Sequence, residues 1–534
     1  MKIFKNGKFH SFNSENTVYE ALVVENEKII FTGSTNEVLK KYGEKTEEIV
    51  DFEGKTIVPG FNDSHVHFMN YGYTEKKVKL HHCKTIAELI ELGKKAQPYG
   101  GWILGRGWNQ DLFLEGNGIP EKKDLDKIST TIPVCYTRTC GHVLVVNSKA
   151  MEVCGITRDT KCFGGEIDYD KGLFTENALE LIYSHIDPLS VEELKEIILD
   201  TTDKFLAMGI TSVQTDDFSS FPDKDFMKIV RAYEELKKEG KLKVRVYEQC
   251  FMDTVERVKE LYESGLTPNK GDELFKIGPI KMLLDGSLGG KTALMLEAYE
   301  GEESNRGVVT YTQEEFDKLT KYADSLGYQI AVHAIGDGAI KMVLDSYEKL
   351  PDPAKRRDGI VHCQITNLEL IKRIKEMGII TYIQPIFLDY DLHIVEARVG
   401  KERASKSYAW KTMLNEGIKL CFGSDSPVDS ADVIKAIHCA VNREDISGYP
   451  AGGWLPEEKL TVEEAIRCYT VDSAYASFDE NIKGSLEVGK LADFVVLDRD
   501  IFKIKKDEIL STNIVTTVVG GEILYKKAEG VKKC

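Results

Sequence analysis

The sequence lacks several features that would assign the protein to a particular class. It has no apolar run of about 18 residues, the length that a membrane-spanning helix needs, and its first residues lack the apolar segment of a signal peptide. Its cysteines include no Cys-X-X-Cys pair, which fits reduced thiols better than a disulfide framework. A net charge of -17 provides no broad positive field for phosphate groups. We therefore expect a cytoplasmic protein that acts on a small molecule, without a nucleic-acid or membrane partner; a homo-oligomer stays open.

Both ends of the chain have the composition of β-strands, whereas the middle of the chain has a different pattern. At 534 residues the chain is long enough for one large α/β barrel and a second module. Runs rich in β-branched residues, bounded by Gly and Asp, occur near both termini. We predict a small β-sandwich domain built from residues 1–57 and 485–534. The alternative is a pair of unrelated β appendages.

The middle of the chain alternates between amphipathic helices and short apolar strands. Helical stripes recur at the spacing of Phe226, Ile229 and Tyr233, and several helices end in a glycine that turns the chain back toward a strand. Eight strands alternating with helices predict an α/β fold, a (β/α)8 TIM-type barrel over residues 58–484. The predicted strands are Ile57-Val58, Thr211–Gln214, Val244–Tyr247, Ile280–Leu283, Ile330–His333, Gly359–His362, Ile380–Ile383 and Leu420–Gly423.

A long insert is predicted after the first barrel strand. Residues 68–205 make a connection of about 140 residues, far beyond the usual few. An insert that leaves the barrel at the ends of its strands, where active sites lie, is expected to cover the active site and select the substrate. Trp108 and Arg138 are candidate substrate contacts within it, although a buried structural role for Trp108 is equally open.

Polar side chains follow five of the predicted barrel strands, at the rim where barrel enzymes place their active sites. His65 and His67 alternate onto one face after the first strand, and pairs of imidazoles are ready ligands for a divalent metal. Burying a lysine or aspartate inside a barrel is costly unless it is paired or bound to a metal. The sequence therefore predicts a metal site, whose candidate residues are His65, His67, Lys281, His333, His362 and Asp425.

This arrangement resembles the binuclear centre of the amidohydrolase superfamily, and the resemblance covers almost the whole chain. More narrowly, the chain resembles a long-insert branch that includes N-substituted formamide deformylases. The matching stretches are Gly107-Trp108, Gly141-His142, Lys281 with Asp285–Gly289, and Gln384-Pro385. Gly290-Lys291 depart from the expected Ser-Arg pair, which puts an anion-binding role there in doubt.

The resemblance implies a ligand set and a reaction. His65, His67 and Asp425 would hold the more buried of one or two divalent ions, with zinc as the expected metal, while His333 and His362 would hold the other. Lys281 would be carboxylated and bridge them. The implied activity is hydrolysis of a non-peptide C–N bond, of amide or formamide type, by metal-bound hydroxide. Asp425 would act as the proton shuttle.

The resemblance also implies roles near the reacting carbonyl. His142 would donate to the oxyanion, although an insert-core role for it is equally open, and Asp285 and Gln384 would contact the substrate.

Two other functions remain compatible with the sequence. The first is a mononuclear aminohydrolase that deaminates a heterocycle. Such relatives carry a carboxylic acid soon after the fifth-strand histidine, whereas His333 is followed by Ala334-Ile335-Gly336-Asp337, with no Glu nearby. The second is a metal- or ligand-binding protein without turnover. A screen for amine release, together with metal analysis, separates the three.

Overall fold

The computed structural model describes residues 1–114, 118–138, 143–162, 165–218, 220–221 and 223–528. The chain divides into two compact units. The first contains residues 1–68, 198–220 and those from 224 onward, and the second contains residues 69–197 with 221–223. Within the described ranges, no helix has the length and apolar character needed to cross a bilayer.

The strands follow one another along the whole chain. In chain order they are β1 Lys2–Lys5, β2 Lys8–His10, β3 Val18–Tyr19, β4 Ala21–Glu25, β5 Lys28–Gly33, β6 Glu48–Asp51, β7 Thr56–Pro59, β8 Phe61–Val66, β9 Val78–Lys79, β10 Ile103–Trp108, β11 Val134–Arg138, β12 Val143–Val146, β13 Ile167–Asp168, β14 Leu173–Thr175, β15 Ile210–Thr215, β16 Arg245–Phe251, β17 Phe275–Leu283, β18 Ile330–Ala334, β19 Gly359–His362, β20 Ile380–Ile383, β21 Leu420–Phe422, β22 Phe494–Leu497, β23 Ile514–Val519 and β24 Glu522–Lys526.

The helices begin where the sequence supplies capping residues. Thr312 caps one of them by accepting from the backbone of Glu315, whose side chain bonds back in a capping box. In chain order the helices are α1 Thr35–Tyr42, α2 Phe68–Lys76, α3 Ile86–Lys95, α4 Lys122–Leu125, α5 Ser148–Val153, α6 Glu180–Tyr183, α7 Val191–Ala207, α8 Phe226–Lys238, α9 Val255–Glu263, α10 Gln313–Ser325, α11 Asp337–Tyr347, α12 Pro353–Arg356, α13 Leu368–Glu376, α14 Leu388–Asp391, α15 Val395–Ala404, α16 Trp410–Asn415, α17 Val433–Asn442, α18 Val462–Tyr469 and α19 Val471–Ala476.

An eight-stranded parallel sheet dominates the first unit. Its order is β8-β15-β16-β17-β18-β19-β20-β21, which is sequence order and the order of a (β/α)8 barrel. The two edge strands approach each other where they end, because the amide of Asp425 donates to the carbonyl of His65 at 2.8 Å and that of His67 donates to Ser426 at 3.0 Å. The sheet is therefore an almost closed barrel, as the sequence predicts for the α/β architecture.

The first barrel strand differs from the prediction. Ile57 and Val58 lie in β7, which pairs with β2 and β22 rather than with the barrel. Barrel pairing begins at Phe61, in β8. The Pro59-Gly60 step separates the two strands. A Cβ on Gly60 would lie 2.3 Å from the Thr211 hydroxyl, so the chain can pass this close to β15 only with glycine at that position. Consequently His65 lies inside the barrel strand rather than beyond it.

Two smaller sheets are built from the terminal segments. Their orders are β5-β4-β1-β6 and β24-β23-β22-β7-β2-β3, so strands from both ends of the chain pair in the second sheet. Both sheets contribute to one apolar core, in which the Phe4 and Phe494 rings meet edge to face at 5.1 Å. These sheets belong to the same compact unit as the barrel, and a separate β-sandwich domain stays a prediction.

The second unit has its own sheet and its own apolar cores. Its strands follow the order β13-β14-β12-β11-β10-β9. Trp108 and Tyr136 pack in one core and Phe174 in another. This unit accounts for most of the predicted insert; its role in covering an active site stays a prediction.

Candidate metal centre

Two histidines and an aspartate meet where the barrel closes. β8 is buried along its length and carries His65, with His67 one residue beyond its end. Both imidazole Nε2 atoms approach Oδ1 of Asp425, at 3.3 Å from His65 and 3.1 Å from His67. The i, i+2 spacing of the histidines therefore places both rings against one carboxylate oxygen, as the strand geometry predicts.

The segment after β21 holds Asp425 in an unusual backbone conformation. Asp425 has φ 57°, in the left-handed region that residues with a Cβ adopt at a cost of about 1–3 kcal/mol. Beside it, a Cβ on Gly423 would lie 2.5 Å from the amide nitrogen of His65, so only glycine permits this approach. Asp63 connects β8 to the segment after β21, a contact called the junction below. Its carboxylate accepts hydrogen bonds from the Ser424 amide at 2.9 Å and from the Ser424 hydroxyl at 2.6 Å.

His333 and His362 bring two more imidazoles to the same place. His333 is the penultimate residue of β18 and His362 is the last residue of β19, and their ring centroids lie 4.4 Å apart. The His362 ring lies 5.7 Å from that of His65. His362 also has a left-handed backbone, with φ 78°. Strained backbone at two candidate ligands is a pattern that clusters at functional sites.

Three of the four imidazoles are fixed in orientation by a hydrogen bond at Nδ1. His65 donates to Oε1 of Gln249 at 2.6 Å and His362 to Oε1 of Gln384 at 2.8 Å. His333 donates to Oδ1 of Asp285 at 3.0 Å. Because Gln249 and Gln384 each donate their own amide nitrogen to a backbone carbonyl, their Oε1 atoms must face the rings. Each ring thus carries its proton on Nδ1 and presents an unprotonated Nε2, the form that binds a metal.

Replacing Gln249 by Leu is expected to weaken metal binding by about 10–100-fold, the usual effect of losing a residue that orients a ligand. The buried Nδ1–H of His65 would lose its acceptor and the ring its fixed tautomer. Metal affinity is measured by competition with a chromophoric chelator. The matched control is Gln214→Leu, another buried glutamine, whose amide donates to Ser473. Equal losses in both variants, or none in Gln249→Leu, would contradict the assignment.

Lys281 lies near the end of β17 and faces the same group of side chains. Its Nζ lies 3.6 Å from Oδ2 of Asp216, and both side chains are only 3% exposed. A lysine inside a barrel needs such a partner, because burial of an unpaired charge is costly. The structure therefore brings all six predicted ligand residues to one rim of one barrel.

Burial and mutual contacts shift the pKa values of these groups in different directions. Burial lowers the pKa of His65 and of His362, and lowers that of His333 to about 3. Burial also opposes the charge on His67, but the Asp425 carboxylate raises its pKa to about 9. Burial disfavours the charge of Asp425 too, yet the imidazoles of His65 and His67 hold its pKa well below the usual range. At neutral pH the site therefore offers neutral imidazoles at His65, His333 and His362, together with a protonated His67 beside the ionised Asp425 carboxylate. A metal ion that binds His67 would displace this proton.

The residues present fit a divalent cation. Ligand atoms of His65, His362 and Asp425 all lie within 4.8 Å of one another. Oδ1 of Asp425 is buried and accepts no hydrogen bond of acceptable geometry within the described residues, although two imidazole nitrogens stand close to it. A buried carboxylate oxygen that lacks a hydrogen bond is a position that a bound ion would satisfy. Imidazole nitrogen and carboxylate oxygen together are ligands that suit zinc and its neighbours.

Comparison with known proteins identifies the family. The sequence matches the amidohydrolase family over residues 48–525. The chain belongs to the amidohydrolase family. It is 32% identical over 536 residues to the amidohydrolase YtcJ of Bacillus subtilis (strain 168), covering 98% of this chain and 99% of the relative. It is 25% identical to the N-substituted formamide deformylase of Arthrobacter pascens, with 98% of each covered, which confirms the predicted resemblance.

A solved structure agrees with this assignment. An uncharacterized metal-dependent hydrolase from Pyrococcus furiosus superposes with a TM-score of 0.81 at 31% identity, covering 94% of this amidohydrolase and all of that chain. The protein is thus a hydrolase of the metal-dependent amidohydrolase type.

The residues predicted to contact the substrate of the amidohydrolase do not form one group: some support the histidines, and others lie in the second unit. Both Asp285 oxygens are occupied, since the carboxylate accepts from three backbone amides as well as from His333, and Gln384 supports His362. Trp108 is 1% exposed and donates to the Tyr136 carbonyl. Arg138 donates to Gln110 and Asn109, and His142 lies outside the described residues. Substrate contact by these residues stays a prediction.

Sequence reasoning missed three residues of this amidohydrolase site. Gln249 lies inside β16, Asp63 inside β8, and Asp216 directly after β15. Gln249 and Asp63 are fully buried polar residues in strands, and a polar residue in a strand buried on both faces was the available signal.

Proposed function

We propose that this amidohydrolase hydrolyses an amide or formamide-like C–N bond of a small molecule. The observation that carries the proposal is the meeting of His65, His67 and Asp425 around one buried carboxylate oxygen that lacks a hydrogen bond. The formamide deformylase named among the relatives, similar over 98% of both chains, supports this bond type.

In this proposal the chain's residues hold the ion and position the reacting groups. His65, His67, His333, His362 and Asp425 would hold one or two divalent ions, zinc being the metal that best suits these ligands. When bound, such an ion would lower the pKa of a bound water to about 7 and polarise a carbonyl oxygen. The ring orientations are fixed before any ion binds, because Nδ1 of three histidines is already engaged.

Asp425 would transfer the proton. Its contacts with His65 and His67 both use Oδ1, and Oδ2 is free of hydrogen-bond partners among the described residues. We therefore assign to Oδ2 the proton that leaves the attacking water and passes to the departing nitrogen. General acid–base transfer of this kind typically contributes about 10²–10⁴-fold.

Lys281 would be carboxylated on Nζ. Its amine is buried in the barrel near the imidazoles, where an ammonium would repel any bound cation. A carbamate would instead supply a negative charge and two oxygen ligands.

The test is a screen of the protein after metal removal and reconstitution with Zn²⁺, Mn²⁺ or Fe²⁺. We expect primary amine to be released from formamides or N-acyl amines only by metal-loaded protein, with metal content measured in the same samples. Ammonia release from purines or pyrimidines alone would favour an aminohydrolase. Stoichiometric metal without any turnover would favour a binding protein.

A further inference from the structure

A cavity of about 250 Å³ lies within the first unit, next to the candidate metal centre. Two of its lining residues lie close in sequence to candidate ligands: Ile335 follows His333 by two residues, and Val428 follows Asp425 by three. Phe387, a third wall, stacks on the His362 imidazole with ring centroids 6.0 Å apart and planes 13° from parallel. A group held in this cavity would therefore lie beside the centre.

Most of the cavity surface is apolar or aromatic. Leu288, Ile335 and Val428 supply aliphatic walls, and Phe387 and Tyr390 supply aromatic rings. Such a lining is typical of small-molecule sites, where a few polar groups fix the orientation of the ligand. The polar groups in this cavity therefore decide which ligands it favours.

The strongest of those polar groups can only accept hydrogen bonds. Asp391 is 8% exposed, and its Oδ2 accepts from Gln364 Nε2 at 2.9 Å and from the Tyr408 hydroxyl at 2.8 Å. Oδ1 of Asp391 has no donor among the residues that the structure describes. Because Gln364 commits its amide nitrogen to Asp391, its Oε1 also remains an acceptor. Asp429 adds a second carboxylate to the lining.

The charge of the lining is negative, with no cation among the described residues that line the cavity. The neighbouring guanidinium of Arg398 donates to the Gly289 carbonyl at 3.3 Å instead. Burial raises the pKa of Asp391 to about 6, and the nearby Asp429 carboxylate contributes to that rise. An incoming cation that donates hydrogen bonds would relieve both the burial and the repulsion.

We propose that this cavity binds a positively charged, hydrogen-bond-donating group of the substrate, an ammonium or a guanidinium separated by a short apolar spacer from the bond that is cleaved. The aromatic walls add to the preference, since ring faces attract cations. This inference rests on the proposed function for the position of the cleaved bond, but the preference for a cation rests on the cavity alone.

The test uses three amides that share one acyl group and one spacer: the mono-N-acyl derivative of cadaverine, N-acyl hexylamine and N-acyl aminocaproate. They end in an ammonium, a methyl and a carboxylate group. We expect kcat/KM of the metal-loaded protein to be at least about tenfold higher for the ammonium than for the methyl compound, the contribution of one charged hydrogen bond. The carboxylate compound should be the poorest.

Asp391→Asn should reduce the ammonium-to-methyl ratio of kcat/KM by about tenfold, because the amide cannot supply the negative charge. The matched control is Glu402→Gln, which removes one exposed negative charge from α15 and should leave the ratio unchanged. A methyl or carboxylate compound used as well as the ammonium compound would overturn the inference.

Calorimetry with the same three amides separates this inference from the proposed function. Binding in the order ammonium, methyl, carboxylate without any turnover would refute the proposed chemistry but retain the cation site. Absence of both binding and turnover for the ammonium compound would overturn the cation site as well.

Discussion

Asp425→Asn is expected to lower kcat by about 10³-fold with the best amide substrate, even at saturating metal. Asparagine keeps the shape of the side chain and one oxygen beside His65 and His67, but it cannot accept and return a proton. The measurement is kcat together with metal content by plasma mass spectrometry.

The control for this experiment is Asp507→Asn, the same change at an exposed carboxylate, which should retain both kcat and metal. A ten- to hundredfold fall in metal affinity would also accompany Asp425→Asn if Oδ1 is a ligand, so kcat must be measured at metal concentrations that restore full occupancy. Unchanged kcat at full occupancy would refute the proton-transfer role.

If the proposed centre holds two ions, Lys281→Ala is expected to reduce the bound metal from two ions to one and to lower kcat/KM by about 10³-fold. If Lys281 is carboxylated as proposed, the change would remove that carbamate, and loss of one ion would forfeit several kcal/mol of charge stabilisation at the reacting carbonyl. Metal content reports the first effect. Incorporation of ¹³C-labelled bicarbonate, followed by carbon NMR, should show a carbamate signal in the wild type and none in the variant.

Lys276→Ala provides the comparison for Lys281, since both residues lie in β17. Lys276 donates to the Ser477 carbonyl and pairs with Asp479, so its loss should affect stability but leave the number of ions unchanged. Two ions retained in Lys281→Ala would exclude the bridging role. One ion in the wild type, without a carbamate signal, would show a mononuclear centre.

The barrel was largely predictable because each of its strands has a recognisable local sequence pattern. Short apolar runs followed by glycine-ended helices predicted β15 to β21, each within a few residues of its observed position. The first strand was not predictable in the same way. Ile57 and Val58 are as apolar as a barrel strand, and only their pairing with the distant β22 shows that they belong to a terminal sheet.

The candidate ligands could be predicted, whereas the residues that orient them could not. His65, His333 and His362 stand near the ends of apolar strands, where barrel sites are built. Gln249 reaches His65 across 184 residues of sequence, a contact set by the register of β16 against its neighbours. Asp285 and Gln384 also accept hydrogen bonds from His333 and His362, a supporting role that was not predicted because it depends on a three-dimensional hydrogen-bond network. Their predicted contact with the substrate stays a prediction.

The junction between β8 and the segment after β21 determines when the protein can acquire its ion. Ser424 and Asp63 lie 361 positions apart in the sequence, and the adjoining His65 and Asp425 become neighbours only when this junction forms. A nascent chain still on the ribosome therefore has an incomplete set of ligands until most of it has been synthesised. A metal ion can therefore meet this complete set of ligands only after the two ends of the barrel have come together.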